Sequence, residues 1–290
     1  MQLTDSTHLG SRRDPCQSNQ LVAITFLGTR GEIRARSRLH RNHSCSIVAH
    51  GKARVMIDCG ADWQHLLSRI SPTAILLTHA HPDHAGGLVH GASCPVYAPA
   101  RTWRSLPAWP VSDRRVMPLQ KSIAIAGIRF EALPVEHSIR APAVGYRVST
   151  HGARFFYVPD IVRLLNRRRA LHGVDLYVGD GASITRPIIR RRGRAVIGHS
   201  SIRAQLEWCK TERVAIACFT HCGSEIVTAH ARPIHQAVRR LGAERGVDAR
   251  VARDGLRLTL GGGKVRFAAP APVGRGKASR HRSCPSHARG

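Results

Sequence analysis

Seven consecutive residues, Thr78-His79-Ala80-His81-Pro82-Asp83-His84, constrain this chain more than any other feature. They follow the apolar run Ala74-Ile75-Leu76-Leu77, so a buried strand delivers two histidines, two residues apart, to the same side of its end. Pro82 favours a turn or a first helical position, which brings Asp83 and His84 round to face the same cavity. Three neutral imidazoles and a carboxylate within so short a stretch form the ligand set that zinc and similar borderline ions take. Ligands on both sides of the turn suit two ions better than one. The chain is rich in histidine, with 18 in 290 residues. Independent placement nevertheless produces H-x-H-x-D-H only about four times per thousand such chains.

Composition sets the outer bounds. Lys plus Arg number 45 against 18 Asp plus Glu, a formal charge of +27, and 42% of the residues are hydrophobic. That is enough for the core of one large domain, or of a domain with tails, and no run approaches the roughly 18 apolar residues of a membrane helix. The N-terminal stretch lacks the apolar run of a secretory signal, and the eight scattered cysteines, without a C-x-x-C pair, read as reduced thiols. Both features predict a cytoplasmic protein. The basic excess, dominated by arginine, fits attraction for phosphate backbones and equally fits coding bias combined with a basic tail.

Residues 1–20 read as a flexible leader and residues 263–290, which hold no acidic residue, as a basic disordered tail. One core domain at 21–262 remains. Within it, strands are expected at 21–28, 44–50, 53–60, 73–79, 95–99, 128–137, 144–150, 153–160, 174–180 and 214–221, with further β-rich runs near the end. Helices are expected at 62–69, 83–90, after Asp160, at 201–211 under a serine cap, and at 233–241. The mixture predicts a layered α/β domain.

The H-x-H-x-D-H segment after an apolar strand resembles the metallo-β-lactamase superfamily, and the likeness extends over about residues 21–225. Phe26-Leu27-Gly28-Thr29-Arg30-Gly31-Glu32 and the turn around Asp58 resemble that family's opening strands. The resemblance implies a four-layer αββα metallo-β-lactamase-like sandwich. It also implies that His79, His81 and His137 hold one metal ion and Asp83, His84 and His221 a second, with Asp160 bridging both. Two Zn2+ ions, or Mn2+ or Fe in their place, would then activate a bridging water as hydroxide.

Family members cleave β-lactams, lactones, thioesters and phosphodiesters. Here Ile197-Gly198-His199-Ser200-Ser201 resembles the segment by which the ribonuclease Z and cyclic phosphodiesterase branch contacts the scissile phosphate. The candidate catalytic residues are therefore Asp83 and His199, and the expected activity is phosphodiester hydrolysis in RNA or a cyclic, nucleotide-like metabolite. Arginines at 186, 190–192 and 194, and at 163 and 167–169, could clamp phosphates or form a solvated face. Segment 138–159 is too short for the long arm with which ribonuclease Z holds transfer RNA, and His40, His43 and Cys45 stand where a related phosphodiesterase has a cysteine-rich zinc loop. A cysteine common in the ligand sets of true β-lactamases has no counterpart in this set.

Two alternatives stay open: a thioester or lactone hydrolase, and a basic nucleic-acid-binding protein with a structural metal. Asp180 either orients a histidine or ends a strand, and Asp58 serves the site from behind or shapes its turn. The expected partners are a small-molecule or RNA phosphodiester, nucleic acid along the arginine-rich surface and tail, and a second copy of the chain, with no membrane.

Overall fold

The computed structural model describes residues 21–193 and 195–268. The expected leader, Arg194 and residues 269–290 lie outside them. The chain opens with β1 (Val22–Gly28), β2 (Cys45–His50), β3 (Ala53–Ile57), β4 (Ala74–Leu76), β5 (Val96–Ala98) and β6 (Arg114–Val116), side by side in that order. The first three pair antiparallel, and β3 to β6 pair parallel. Their crossovers carry short helices, α1 (Leu67–Ile70), α2 (Pro82–Ala85) and α3 (Ala100–Ser105).

A second sheet follows, built from β7 (Ser122–Ile125), β8 (Ile128–Glu136), β9 (Ala143–Ser149), β10 (Arg154–Tyr157), β11 (Arg163–Leu164) and β12 (Leu176–Asp180). A separate hairpin, β13 (Ile188–Arg192) with β14 (Ala195–His199), precedes β15 (Ile216–Thr220) and β16 (Asp248–Val251). The second sheet runs β11-β8-β9-β10-β12-β15-β16, with β10 to β16 parallel. Helices α4 (Arg167–Leu171), α5 (Ile202–Thr211), α6 (Ser224–Val227) and α7 (Ala231–Ala243) connect these strands. The chain then returns to the first sheet, where β17 (Arg257–Gly261) pairs with β1 and β18 (Lys264–Ala268) pairs with β17.

Side-chain alternation turns the two sheets into four layers. Val55 and Ile57 of β3 join a central cluster with Phe155 and Tyr157 of β10, whereas the intervening Met56 packs outward with Trp63 and Leu67. Phe156 likewise points away from the centre, into a third cluster with Leu206 of α5 and Val238 of α7. Three apolar clusters separate helices, sheet, sheet and helices, which is the αββα sandwich. Two hydrogen bonds tie the sheets together at the functional edge: Tyr146 Oη donates to Leu77 O (2.6 Å), and Val144 N donates to Thr78 O (3.0 Å).

Several expected elements change form. The helix expected at 62–69 is a 3-10 turn at 61–63 followed by α1, and the one at 83–90 is α2 followed by a 3-10 turn at 86–88. After Asp160 the chain forms β11 before α4. Ser201 caps α5 as expected, its side chain accepting from Ala204 N. The core does not end at 262, because β18 forms beyond a Gly262-Gly263 turn with φ of 59° and 70°. Val265 and Phe267 of β18 pack on the central cluster while its charged residues face out, an alternation that the basic composition hides. In β13 all five residues are exposed, so no periodic signal exists to read.

Phe155→Ala should lower unfolding free energy by about 3–5 kcal/mol, measured by chemical denaturation, because that ring is 1% exposed between the sheets.

Candidate metal centre

The functional side chains gather where parallel strands end. His79 follows β4, His137 follows β8, Asp160 follows β10, Asp180 closes β12 and His221 follows β15. In open α/β sheets this carboxyl edge is where ligands bind, because the strands deliver side chains there and the connecting loops splay apart. His81 precedes α2, Pro82 occupies its first turn, and Asp83 and His84 lie inside it, buried.

The first expected set comes together. His81 Nδ1 lies 2.9 Å from His79 Nε2 and 3.3 Å from His137 Nε2. Asp160 Oδ2 lies 3.2 Å from His79 Nε2 and 3.3 Å from His137 Nε2. Two atoms bound to one tetrahedral ion at zinc distances stand roughly 3.4 Å apart, so these four atoms have the spacing of a shared ion. The second set lies beside it. Asp83 Oδ2 is 3.3 Å from His84 Nε2 and 2.9 Å from His221 Nε2. Asp160 stands between the two, with Oδ2 3.2 Å from His84 Nε2 and Oδ1 2.8 Å from His221 Nδ1.

The donor chemistry fits divalent ions. His84 Nε2, Asp160 Oδ1 and His221 Nδ1 are buried without a hydrogen-bond partner, and buried polar atoms otherwise find one. The remaining ring nitrogens are committed elsewhere. His84 Nδ1 donates to Asp58 Oδ2 (2.8 Å), and His137 Nδ1 donates to Gly198 O (2.9 Å), so each ring turns Nε2 toward the cluster. Asp58 is itself held by Thr78, whose backbone N–H donates to Oδ1 at 2.8 Å. It adopts φ of 60°, and His221 adopts 53°. Both are left-handed conformations that non-glycine residues take at a cost and that cluster at functional sites.

Charge in the protein alone follows the same division. Burial lowers His79 and His137, and burial together with His79 lowers His81 to about 4, which leaves three neutral imidazoles. Burial would raise Asp160 and Asp83, but the surrounding imidazoles outweigh it and hold both carboxyls well below their usual range. Burial works against His84 and His221 as well. The carboxylates win there, raising His221 to about 10. Positive charge is thus demanded at the centre of the cluster, where metal ions would take the place of protons.

His199 closes the other side. Its Nδ1 donates to Asp180 Oδ2 (2.8 Å), and Asp180 also accepts from Ile161 N and Ala182 N. Asp180 therefore orients His199 rather than one of the expected ligands. Gly198 makes this possible. Its φ is 121°, a Cβ would sit 1.9 Å from Ile188 O, and its N–H donates to His137 O at 2.9 Å.

A cavity of about 610 Å3 opens onto the cluster. Its walls include Glu32, Ile33, Arg186, Ile188 and Glu225, none of which except Arg186 the sequence singled out for the site. Gly31 packs against the His221 ring, where a Cβ would approach to 2.8 Å. The loop is pinned by Arg30, whose buried guanidinium donates to Arg41 O, Ile33 O and Asp62. The -Thr-Arg-Gly-Glu- run was the available signal for this wall.

Not every expectation gathers at the site. Arg163, Arg167 and Arg169 pair with Glu136, Glu212 and Glu131, and of the arginines at 186 and 190–192 only Arg186 lines the cavity. Cys222 is buried and its thiol is pushed well up by that burial, which disfavours the thiolate a metal needs. His40 donates or accepts at Thr29 Oγ1, while His43 faces Asp62; with Cys45 they form no three-ligand group among the described residues.

A family profile described as "Beta-lactamase superfamily domain" matches residues 53–222, and the chain belongs to the metallo-β-lactamase superfamily. Among curated relatives, a ribonuclease Z from Methanopyrus kandleri is 30% identical over 148 residues, 44% of this chain and 50% of that protein. The chain thus spans about half the length of that relative. Among solved structures, the metallo-β-lactamase fold protein YhfI from Bacillus subtilis superposes with a TM-score of 0.63 at 13% identity, covering 82% of this chain and 99% of that one. A diphosphatase from the PhnP family gives 0.60 at 22% identity, covering 83% and 98%.

Zinc- or manganese-loaded protein should carry two ions per chain by elemental analysis, and Asp160→Ala should lose at least one. Asp58→Ala, which removes the support of His84 and the acceptor of the Thr78 backbone N–H, should weaken metal affinity by about 10–100-fold in a chelator competition.

Proposed function

We propose that the chain is a dinuclear metal-dependent phosphodiesterase, with His79, His81, His137 and Asp160 holding one ion and Asp83, His84, His221 and Asp160 the other. The observation that carries the reaction type is the Asp180–His199 pair, 2.8 Å apart, with His199 on the wall of the metal cavity and Asp180 buried behind it. Two ions bound there supply a nucleophile at neutral pH and offset charge developing on phosphorus.

The protein's own groups do the remaining work. With Nδ1 committed to Asp180, His199 presents Nε2 as the nitrogen that donates to a phosphoryl oxygen or gives a proton to the departing alcohol. Asp83 receives the His221 Nε2 hydrogen bond and stands at the floor of the cavity, where it steers the attacking water as well as holding an ion. Arg186, the one arginine lining the cavity among the described residues, meets a non-bridging oxygen.

Segment 138–159 folds into β9 and β10 within the second sheet and projects no arm. A small diester, or the accessible end of an RNA strand, is therefore the substrate class proposed, and zinc the first ion to test. No helix among the described residues is long and apolar enough to cross a membrane. A cytoplasmic setting follows from the reduced cysteines and remains part of the proposal.

Hydrolysis of bis(p-nitrophenyl) phosphate by metal-loaded protein tests the reading. His199→Ala should lower kcat by about 10²–10⁴-fold while the metal content stays at two, and Asp180→Ala should follow in the same direction. Turnover of a thioester or lactone, with the diester left intact by fully loaded protein, would replace the phosphodiesterase reading.

A further inference from the structure

A second cleft, of about 360 Å3, shares no lining residue with the metal cavity. It lies where the end strands of the two sheets meet, since β16 closes one sheet and β18 the other. His235 and Arg239, one helical turn apart on α7, form one wall. Arg250, Arg253, Leu256 and Phe267 stand opposite, and no carboxylate among the described residues lines the cleft.

Three arginines converge there, in two different states. Arg250 is positioned, paired with Asp248 at 2.9 Å and stacked with its guanidinium carbon 3.9 Å from the centre of the Phe267 ring. Arg239 and Arg253 have no carboxylate partner within salt-bridge distance among the described residues, although Arg253 is half-buried. Elsewhere on this basic surface Arg163, Arg167, Arg169 and Arg245 each meet a glutamate. A half-buried guanidinium without a counter-charge has lost hydration and gained nothing, so an anion that reaches it is bound with advantage. The flat Arg250–Phe267 stack beside it offers a planar platform of the kind on which single-stranded bases lie. The cleft is at the small end of ligand pockets, about 300–1,000 Å3, which suits one nucleotide and excludes a duplex.

We propose that this cleft is a nucleotide-binding site, in which Arg239 and Arg253 take the phosphate and the base stacks on the Arg250–Phe267 pair. The ligand has two sources, a free nucleotide and one nucleotide of a single-stranded RNA. The sequence favours the second, because the chain leaves the cleft at Ala268 into residues 269–290, which include Arg275, Lys277, Arg280, Arg282 and Arg289 and no acidic residue. The site stands whether or not the metal centre cleaves phosphodiesters, because binding is read without turnover.

The test uses full-length, metal-loaded protein with AMP, inorganic phosphate and a fluorescent oligouridylate, comparing wild type with Arg239→Gln/Arg253→Gln. The double variant should bind AMP or the oligonucleotide at least about tenfold more weakly. For the oligonucleotide, the slope of log affinity against log salt should fall by about 1.4, two contacts at about 0.7 each. Turnover of the chromogenic diester and the thermal midpoint should not change, which separates loss of the cleft from loss of the fold or of the metal site. Binding of AMP assigns a free nucleotide, and binding of the oligonucleotide alone assigns a strand. Photocrosslinking of a 4-thiouridine oligonucleotide should label the peptide containing Phe267. Unchanged affinity in the double variant, labelling confined to the metal cavity, or phosphate competing as well as AMP would each overturn the assignment.

Discussion

Asp160 is the residue on which the rest of this molecule turns. Its carboxylate lies 2.8–3.3 Å from four imidazoles that arrive on β4, α2, β8 and β15, elements drawn from both sheets. Burying one carboxylate among so many ionisable rings is costly unless the charges are arranged to cancel. The sandwich achieves this by aligning the ends of its parallel strands at a single edge. The cross-sheet bonds from Tyr146 and Val144 to the residues just before His79 hold the two halves in register at that edge.

Precision comes from the supporting residues. Asp58 and Gly198 O each fix one nitrogen of a ring, and Asp180 does the same for His199. The backbone bends to allow it, with left-handed conformations at Asp58 and His221 and a φ of 121° at Gly198. Strain of this kind persists where the surrounding packing over-determines it. Here the packing is the rigid sheet edge on one side and the Arg30-anchored loop on the other. Two hydrogen bonds, from the His137 ring to Gly198 O and from Gly198 N–H to His137 O, join the arginine-bearing hairpin to the metal cluster.

The large positive charge divides by location. Around α4 and along α5, arginines meet glutamates, and this part of the excess acts as an ordinary solvated surface in which each pair contributes little. The cleft between β16 and β18 is different, because Arg250 alone of its three arginines meets a carboxylate, Asp248, while Arg239 and Arg253 have none among the described residues. Net charge measured over the chain averages these situations together, and only their positions distinguish them.

Much of the metal centre was legible because its signal is local. His79, His81, Asp83 and His84 fall on one strand end and one turn, and neighbours in sequence there are neighbours in space. His137, Asp160 and His221 were found through family resemblance, each at the end of an apolar strand, since nothing local to a lone histidine or aspartate sets it apart. The β-rich runs at 53–60 and 153–160 were legible as strands for the same reason, as strand-forming composition is a property of adjacent residues. What only the tertiary structure decided depends on contacts between distant segments. The partner of Asp180, the wall formed by Glu32 and Glu225, the hairpin β13–β14 without a buried face, and the pairing of β18 onto β17 all arise when remote residues pack together. The sequence by itself determined the chemistry delivered to the strand ends, and the meeting of the two sheets decided which of those groups face one another.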